Sequence, residues 1–293
     1  MPKADERRPL EPGLYVVGTP IGNLEDITLR ALRVLRSADL VACEDTRQTQ
    51  KLLQRYSIQT RTISYHEHNE MTRAAELMID LEQGARIALV ADAGTPGISD
   101  PGYRLISLAI RHHVPVIPIP GPAAFLAALV AAGLPADSFR FAGFLPARRG
   151  ARRQALESIR EAPRTVIFYE APHRILETLA DAVEALGPAR HVVVAREVTK
   201  LHEEFLRGRA DQVLAELQGR GVPRGEITLL IGRAEEAPAE AAAARLSGKE
   251  LRRRLDVLMA ASKLDQKAAL KRLAKETGIG KSQLYRQLQR ARP

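Results

Sequence analysis

Residues 86–102 read RIALVADAGTPGISDPG, and this stretch decides the fold. Arg86 to Ala91 is a short, nearly unbroken apolar run, the pattern of a strand buried on both faces. Asp92 to Gly102 mixes three glycines with Pro96 and Pro101, which ends the strand in a stiff loop. From Tyr103 to Arg111 the apolar residues return at helical spacing. Strand, loop, helix is the repeating unit of an α/β sheet.

The same unit recurs on either side. Leu14 to Val17 is a strand ended by Gly18-Thr19-Pro20, and Ile27 to Leu35 is a helix that Asp26 can cap. Leu40 to Cys43 and Thr60 to Ser64 read as strands, with helices at Thr46–Tyr56 and Met71–Glu82. Val114 to Ile119 is a strand, and Pro122 to Ala132 is an alanine-rich helix. This order predicts a mostly parallel sheet covered on both faces, over residues 1–132. Beyond Gly133, strands are predicted at 139–144, 165–169, 191–195, 202–207 and 227–231, with helices at 152–160 and 172–185. The last three strands follow one another closely and include a hairpin, so residues 133–233 predict a second, α+β domain with a mixed sheet. Residues 234–246, rich in alanine and glutamate, read as a linker. The chain is thus assigned to the α/β class, with a parallel-sheet domain, a mixed-sheet domain and a small all-α module at 247–293.

That module is the chain's basic pole. From Arg245 to Pro293 there are 14 Lys and Arg against 4 Asp and Glu, whereas the other residues are close to neutral. Apolar stripes (Leu251, Leu255, Leu258, Met259; then Ala269, Leu270, Leu273, Ala274) mark two helices. A turn at Gly278-Ile279-Gly280 and a cap at Ser282 precede a third with Leu284 and Leu288. Helix-turn-helix, helical hairpin and dimerisation module all fit; the charge favours a nucleic-acid partner, with Lys281 and Arg286 as candidate contacts.

With 45% hydrophobic residues in 293, the chain can bury a sizeable core, which excludes a disordered polypeptide. No run is apolar enough to span a membrane, and the charged first thirteen residues do not resemble a secretory signal, so a soluble cytoplasmic protein is expected. One cysteine, Cys43, excludes an internal disulfide and a cysteine-based metal cluster. His66-Glu67-His68 lacks a third ligand at a workable spacing, so no metal is predicted.

Three loops rich in glycine and proline fall at strand ends: 18–23, 92–102 and 118–124. Each alone is ordinary turn chemistry, but three on one sheet edge point to a main-chain cradle for a ligand. The phosphate-loop and dinucleotide fingerprints are absent, and no Lys or Arg lies in the first two loops. A ligand with an adenosine and a cationic group suits such loops, with Asp92 as one carboxylate partner; S-adenosylmethionine meets that description. For proton transfer the charged residues near strand ends are Glu44, Asp45, Asp100, Glu170, His173, Arg196, Glu197 and Lys200. Asp45 or Lys200 is the first choice, with Glu44 beside them. Glu44-Asp45-Thr46 also reads as a helix cap, and Lys200 as a solvated loop lysine. Arg47 and Arg174, with the cluster Arg148, Arg149, Arg152 and Arg153, are candidate phosphate contacts. Cations at a helix start oppose its dipole, which makes an external anion attractive there.

The ordered motifs GTPIGNLEDIT, ACEDTR, ADAGTPGISDPG, PIPGPAA, FYEAPHR, REVTKLHEEF and PRGEITLLI resemble the tetrapyrrole-methylase superfamily over about residues 13–233. More narrowly they resemble the ribosomal RNA small subunit methyltransferase I family. The resemblance implies S-adenosylmethionine as cofactor and the ribose 2′-hydroxyl of a decoding-centre cytidine in 16S rRNA as target. It also implies a homodimer and a methyl donor folded between two α/β halves. By position, the donor's contacts would be Pro20; Asp92, Ala93, Gly94, Thr95 and Ser99; Ala123 and Ala124; Phe168 and Tyr169; and Glu226, Ile227 and Thr228. A tetrapyrrole methyltransferase and a non-enzymatic nucleic-acid-binding protein are the competing readings, and the basic module speaks against the first of these.

Overall fold

The computed structural model describes residues 9–221, 223–234, 248–262, 265–277 and Leu284. Residues 1–234 form one compact unit and 235–293 another. In the first unit the strands β1 (Gly13–Val17), β2 (Leu40–Cys43), β3 (Thr62–Ser64), β4 (Arg86–Val90) and β5 (Val116–Ile119) form a sheet in the order β3-β2-β4-β1-β5. All its pairings are parallel, as expected. Pro118, which cannot donate to a ladder, lies on the edge strand β5.

Alternation divides this sheet's residues between two cores. Tyr15, Val17, Val41, Cys43, Ala88 and Val90 pack with α1 (Leu29–Ser37) and α2 (Thr46–Arg55). Leu14, Leu40, Ala42, Ile87 and Leu89 pack on the other face with α3 (Glu70–Glu82) and α4 (Tyr103–Arg111). Two-sided burial is why these strands lack a polar face.

The second sheet runs β6 (Phe139–Phe144), β7 (Thr165–Glu170), β10 (Ile227–Ile231), β8 (His191–Arg196) and β9 (Glu204–Arg209) in that order. β6 and β7 are parallel and the other pairings antiparallel, so the sheet is mixed, and β8–β9 is the hairpin. One face carries α6 (Arg149–Glu157), α7 (Ile175–Leu186) and α8 (Ala210–Arg220). The helix α8 is missing from the reading of the sequence, although Ala210, Val213 and Leu217 carry its buried stripe. The opposite face is covered by α5 (Ala124–Ala132), through Ala128, Leu129 and Ala132. The helix assigned to the end of the first half therefore packs on the second sheet through one face, while Leu126 and Val130 on it are exposed.

Arginines 149, 152 and 153 start α6 and face an acidic stripe on α7: Glu177, Asp181 and Glu184. Arg152 is 1% exposed, its Nε 2.8 Å from Asp181 Oδ2 and its Nη2 3.2 Å from Glu177 Oε2. Arg149 Nε donates to the other Asp181 oxygen at 3.0 Å, and Arg153 pairs with Glu184 at 2.9 Å. Arg152 is thus a structural cation, which corrects its assignment as an RNA contact.

The second unit holds α9 (Gly248–Ser262) and α10 (Gln266–Thr277), packed through Leu251, Leu255, Ala269, Leu273 and Leu284. Asp265 caps α10 by accepting from the Ala268 amide at 2.7 Å. The linker from residue 235, the turn at 278–280, Ser282, Lys281 and Arg286 lie outside the described residues. Among the described residues no helix is long and apolar enough to cross a membrane.

Removing Arg152 leaves the buried Asp181 with only the exposed Arg149. Arg152→Ala is expected to cost about 3–5 kcal/mol in urea unfolding. A loss below about 1 kcal/mol would show that the pair is not structural.

Candidate active site

The strand order places β1 between β4 and β5, so the three glycine-rich loops meet at one edge. Thr19 N–H donates to Gly94 O at 2.8 Å, and Gly94 N–H returns a bond to Thr19 O at 3.1 Å. The Thr19 hydroxyl donates to Ala91 O at 3.1 Å. Gly18 lies against Gly121: a Cβ on Gly18 would sit 2.8 Å from Gly121 Cα, so only glycine allows the first and third loops to touch.

Over these loops lies a cavity of about 430 Å³. Its floor is Asp92, Ala93, Gly94, Thr95, Ser99, Asp100, Ala123 and Ala124 from the first half. Its other wall is Tyr169, Glu226, Ile227 and Thr228 from the second sheet. Eleven of the thirteen positions expected to hold a cofactor are among its lining residues, which also include Asp100. The exceptions have simple causes. Pro20 sits between the bridged Thr19 and the lining Ile21. Phe168 alternates away from Tyr169 into the core beneath the sheet. Sequence reasoning missed Ile21, Phe125, Phe144 and Val198 in the lining. These apolar residues carry no chemical signature in a linear reading.

Of the residues expected to move a proton, Asp100 and Glu170 line the cavity, whereas the first choices Asp45, Lys200 and Glu44 do not. The Asp45 carboxylate accepts from Arg47 N at 2.8 Å, capping α2, and holds the Arg47 guanidinium at 3.0 and 2.7 Å. Those bonds push its pKa down to about 2, too low for an efficient base near neutrality. Its amide donates to Asp92 Oδ1 at 3.0 Å, tying α2 to the cavity loop. Lys200 Nζ lies 2.8 Å from Glu197 Oε1 and 3.1 Å from Glu226 Oε2. Burial disfavours its charge, but the two carboxylates outweigh burial and raise its pKa. The raised pKa favours the charged form of Lys200, which pairs with Glu226. Burial, then Asp92, raises the pKa of Glu44, which is not among the lining residues.

Asp100, in the cavity lining, has a strongly perturbed carboxyl. Burial, reinforced by Glu44 and then Asp92, pushes its pKa up to about 6. No lysine, arginine or histidine is among the lining residues, so the cavity's formal charge is negative. Arg174 and Glu170, both singled out in the sequence, lock each other. Arg174 Nη2 is 2.6 Å from Glu170 Oε1 and donates to Leu145 O at 2.8 Å, while Thr178 Oγ1 donates to Glu170 Oε2 at 2.7 Å. That corrects Arg174 as a phosphate clamp. Arg47 and Arg148 remain exposed at their surfaces. Among the described residues no group of three or more His, Cys, Asp or Glu is placed to hold a metal ion.

A cradle of main chain at the carboxyl edge of a parallel sheet, closed by a second mixed sheet, is where α/β enzymes bind ligands. Residues 13–214 match the family described as Tetrapyrrole (Corrin/Porphyrin) Methylases, and the chain belongs to that family. Among its relatives, the ribosomal RNA small subunit methyltransferase I of Mesorhizobium japonicum is 49% identical over 96% of this chain and 92% of its own length. The Escherichia coli O157:H7 protein of the same name is 45% identical over 93% of each chain. Uroporphyrin-III C-methyltransferase from Thermus thermophilus, solved with S-adenyl homocysteine, shares the fold at a TM-score of 0.53 and 21% identity, over 76% of this chain and 98% of that one.

Because folding raises the Asp100 pKa above its ordinary 3.8, the folded state binds this proton more tightly than the unfolded state. The group's contribution to stability is full below the ordinary value and is lost as pH rises toward about 6. Asp100→Asn is expected to gain stability relative to wild type between pH 4 and 7, read in melts across that range. Parallel profiles would contradict the tuned environment.

Proposed function

We propose that the protein uses S-adenosylmethionine to methylate the ribose 2′-hydroxyl of a decoding-centre cytidine in 16S ribosomal RNA. The cofactor half of this reading is carried by one observation: a cavity within the usual size range of small-molecule sites, built on joined loops, with Asp92 and Asp100 and no cation in its lining. S-adenosylmethionine, when bound, supplies a methyl group on a positively charged sulfur. Asp92 and Asp100 complement that charge, and the backbone of Gly94, Thr95 and Ala124 offers polar groups to its uncharged parts. A polyphosphate would meet only repulsion from these carboxylates.

Support for the RNA half is independent. The relatives carrying the ribosomal RNA name match almost end to end at 45–49% identity, whereas the uroporphyrin enzyme matches at 21%. The basic C-terminal module supplies charge that a small macrocycle does not require. Arg47 pairs with Asp45 in an exposed geometry, an interaction weak enough to be exchanged for a phosphate. Arg148, at the start of α6, offers a second exposed cation.

In this reading Asp100 takes up the hydroxyl proton. It is ionised above about pH 6 and retains enough basicity to accept the proton near neutrality. Lys200, Glu197 and Glu226 hold the far wall in place.

The decisive experiment incubates the full-length protein with unmethylated small ribosomal subunits and S-adenosylmethionine, then maps the product by mass spectrometry of nuclease fragments. One added methyl on the ribose of a decoding-centre cytidine is expected. Asp100→Asn should slow transfer about 10²–10⁴-fold. A methyl on a base, or none, would contradict the reading, and an unchanged rate for Asp100→Asn would remove that residue from the chemistry.

A further inference from the structure

We infer that Phe144 is a stacking platform for the base of the nucleotide being methylated, at the mouth of the cavity. This rests on the RNA reading above and adds to it the residue that receives the substrate.

The chain is poor in aromatic residues, with six phenylalanines, six tyrosines and no tryptophan. Four of them gather on one wall. Phe125 stacks on Phe141 at 4.6 Å between ring centroids, Phe141 meets Tyr169 edge-on at 4.9 Å, and Phe144 meets Tyr169 edge-on at 5.6 Å. Phe125, Tyr169 and Phe144 line the cavity. Phe125 and Tyr169 are largely covered, but Phe144 is 61% exposed.

The backbone is shaped to put it there. In β6 simple alternation would direct Phe139, Phe141 and Gly143 to one face and Phe144 to the other. The pairing with β7 shifts between Phe141 and Phe144, so that Phe144 rather than Gly143 stands opposite Tyr169. The extra residue is accommodated at Gly143, whose φ is +67°. Such a bulge re-aims a side chain, and here it turns Phe144 onto the cavity face. The next residue is held firmly: Leu145 is buried, and its carbonyl accepts the Arg174 bond already described. Hence the Arg174–Glu170 lock stiffens the strand end that carries the platform.

The occupant follows from the surroundings. An exposed ring beside an acidic cavity offers a π-face to a neutral planar group, which describes a nucleobase. Arg148, four residues on and exposed, lies on the same segment to meet a phosphate. The cofactor's adenine is the rival occupant.

The test compares Phe144→Ala, Phe144→Leu and Phe144→Trp in the full-length protein, using unmethylated small ribosomal subunits, radiolabelled S-adenosylmethionine, and calorimetry with S-adenosylhomocysteine. Ala and Leu should each raise KM for the subunit about tenfold or more, and Trp should restore it. S-adenosylhomocysteine affinity should stay within about twofold in all three, since the ring faces substrate. Leu keeps the apolar bulk, so a defect shared by Ala and Leu but absent in Trp assigns the effect to the aromatic face. Equal KM values for Ala and wild type overturn the platform, and an affinity loss for S-adenosylhomocysteine that matches the KM change reassigns the ring to adenine. No methyl transfer by the wild-type protein overturns the RNA reading and this inference together.

Discussion

Two backbone contacts at one sheet edge hold the site together: the paired hydrogen bonds between Thr19 and Gly94, and the touching glycines Gly18 and Gly121. They follow from topology. With β1 flanked by β4 and β5, the loop after β1 must run between the other two. Joining three loops there removes their freedom before a ligand arrives, so less ordering cost falls on binding. Main-chain groups can then serve as the recognition surface, because their positions are fixed by the sheet and not by side-chain rotamers.

Charge is segregated on this scaffold. Asp92 and Asp100 lie in the cavity, Glu44 is close enough to bias Asp100, and the arginines remain outside the lining. In the proposed reaction, an acidic interior would favour a cationic methyl donor over the neutral thioether left after transfer. The same interior would repel phosphate, so the proposed RNA substrate would need cations outside the cavity. The Lys- and Arg-rich composition of residues 245–293 and the exposed Arg47 and Arg148 are compatible with that proposed division of labour.

Much of this was legible in the sequence because it is local. The glycines and prolines of 92–102 and 118–122 announce stiff loops by composition, and the alternation of strand and helix places those loops on one edge. What was not legible depends on partners distant in the chain. Arg152 looks like an RNA contact until Asp181 is set against it; the signal was the spacing of Glu177, Asp181 and Glu184, an acidic stripe on one helix face. Lys200 looks like a base until Glu197 and Glu226 close on it. Phe144 was hidden because a bulge defeats strict alternation, although Gly143 in mid-strand was its trace.

The loop cradle is tested by hydrogen–deuterium exchange of the full-length protein, with and without saturating S-adenosylhomocysteine. The joined-loop account predicts that amides in residues 92–99, 121–125 and 225–228 slow together, while those of the β8–β9 hairpin do not change. Protection confined to one loop, or absent from all three, would contradict a cradle made of main chain.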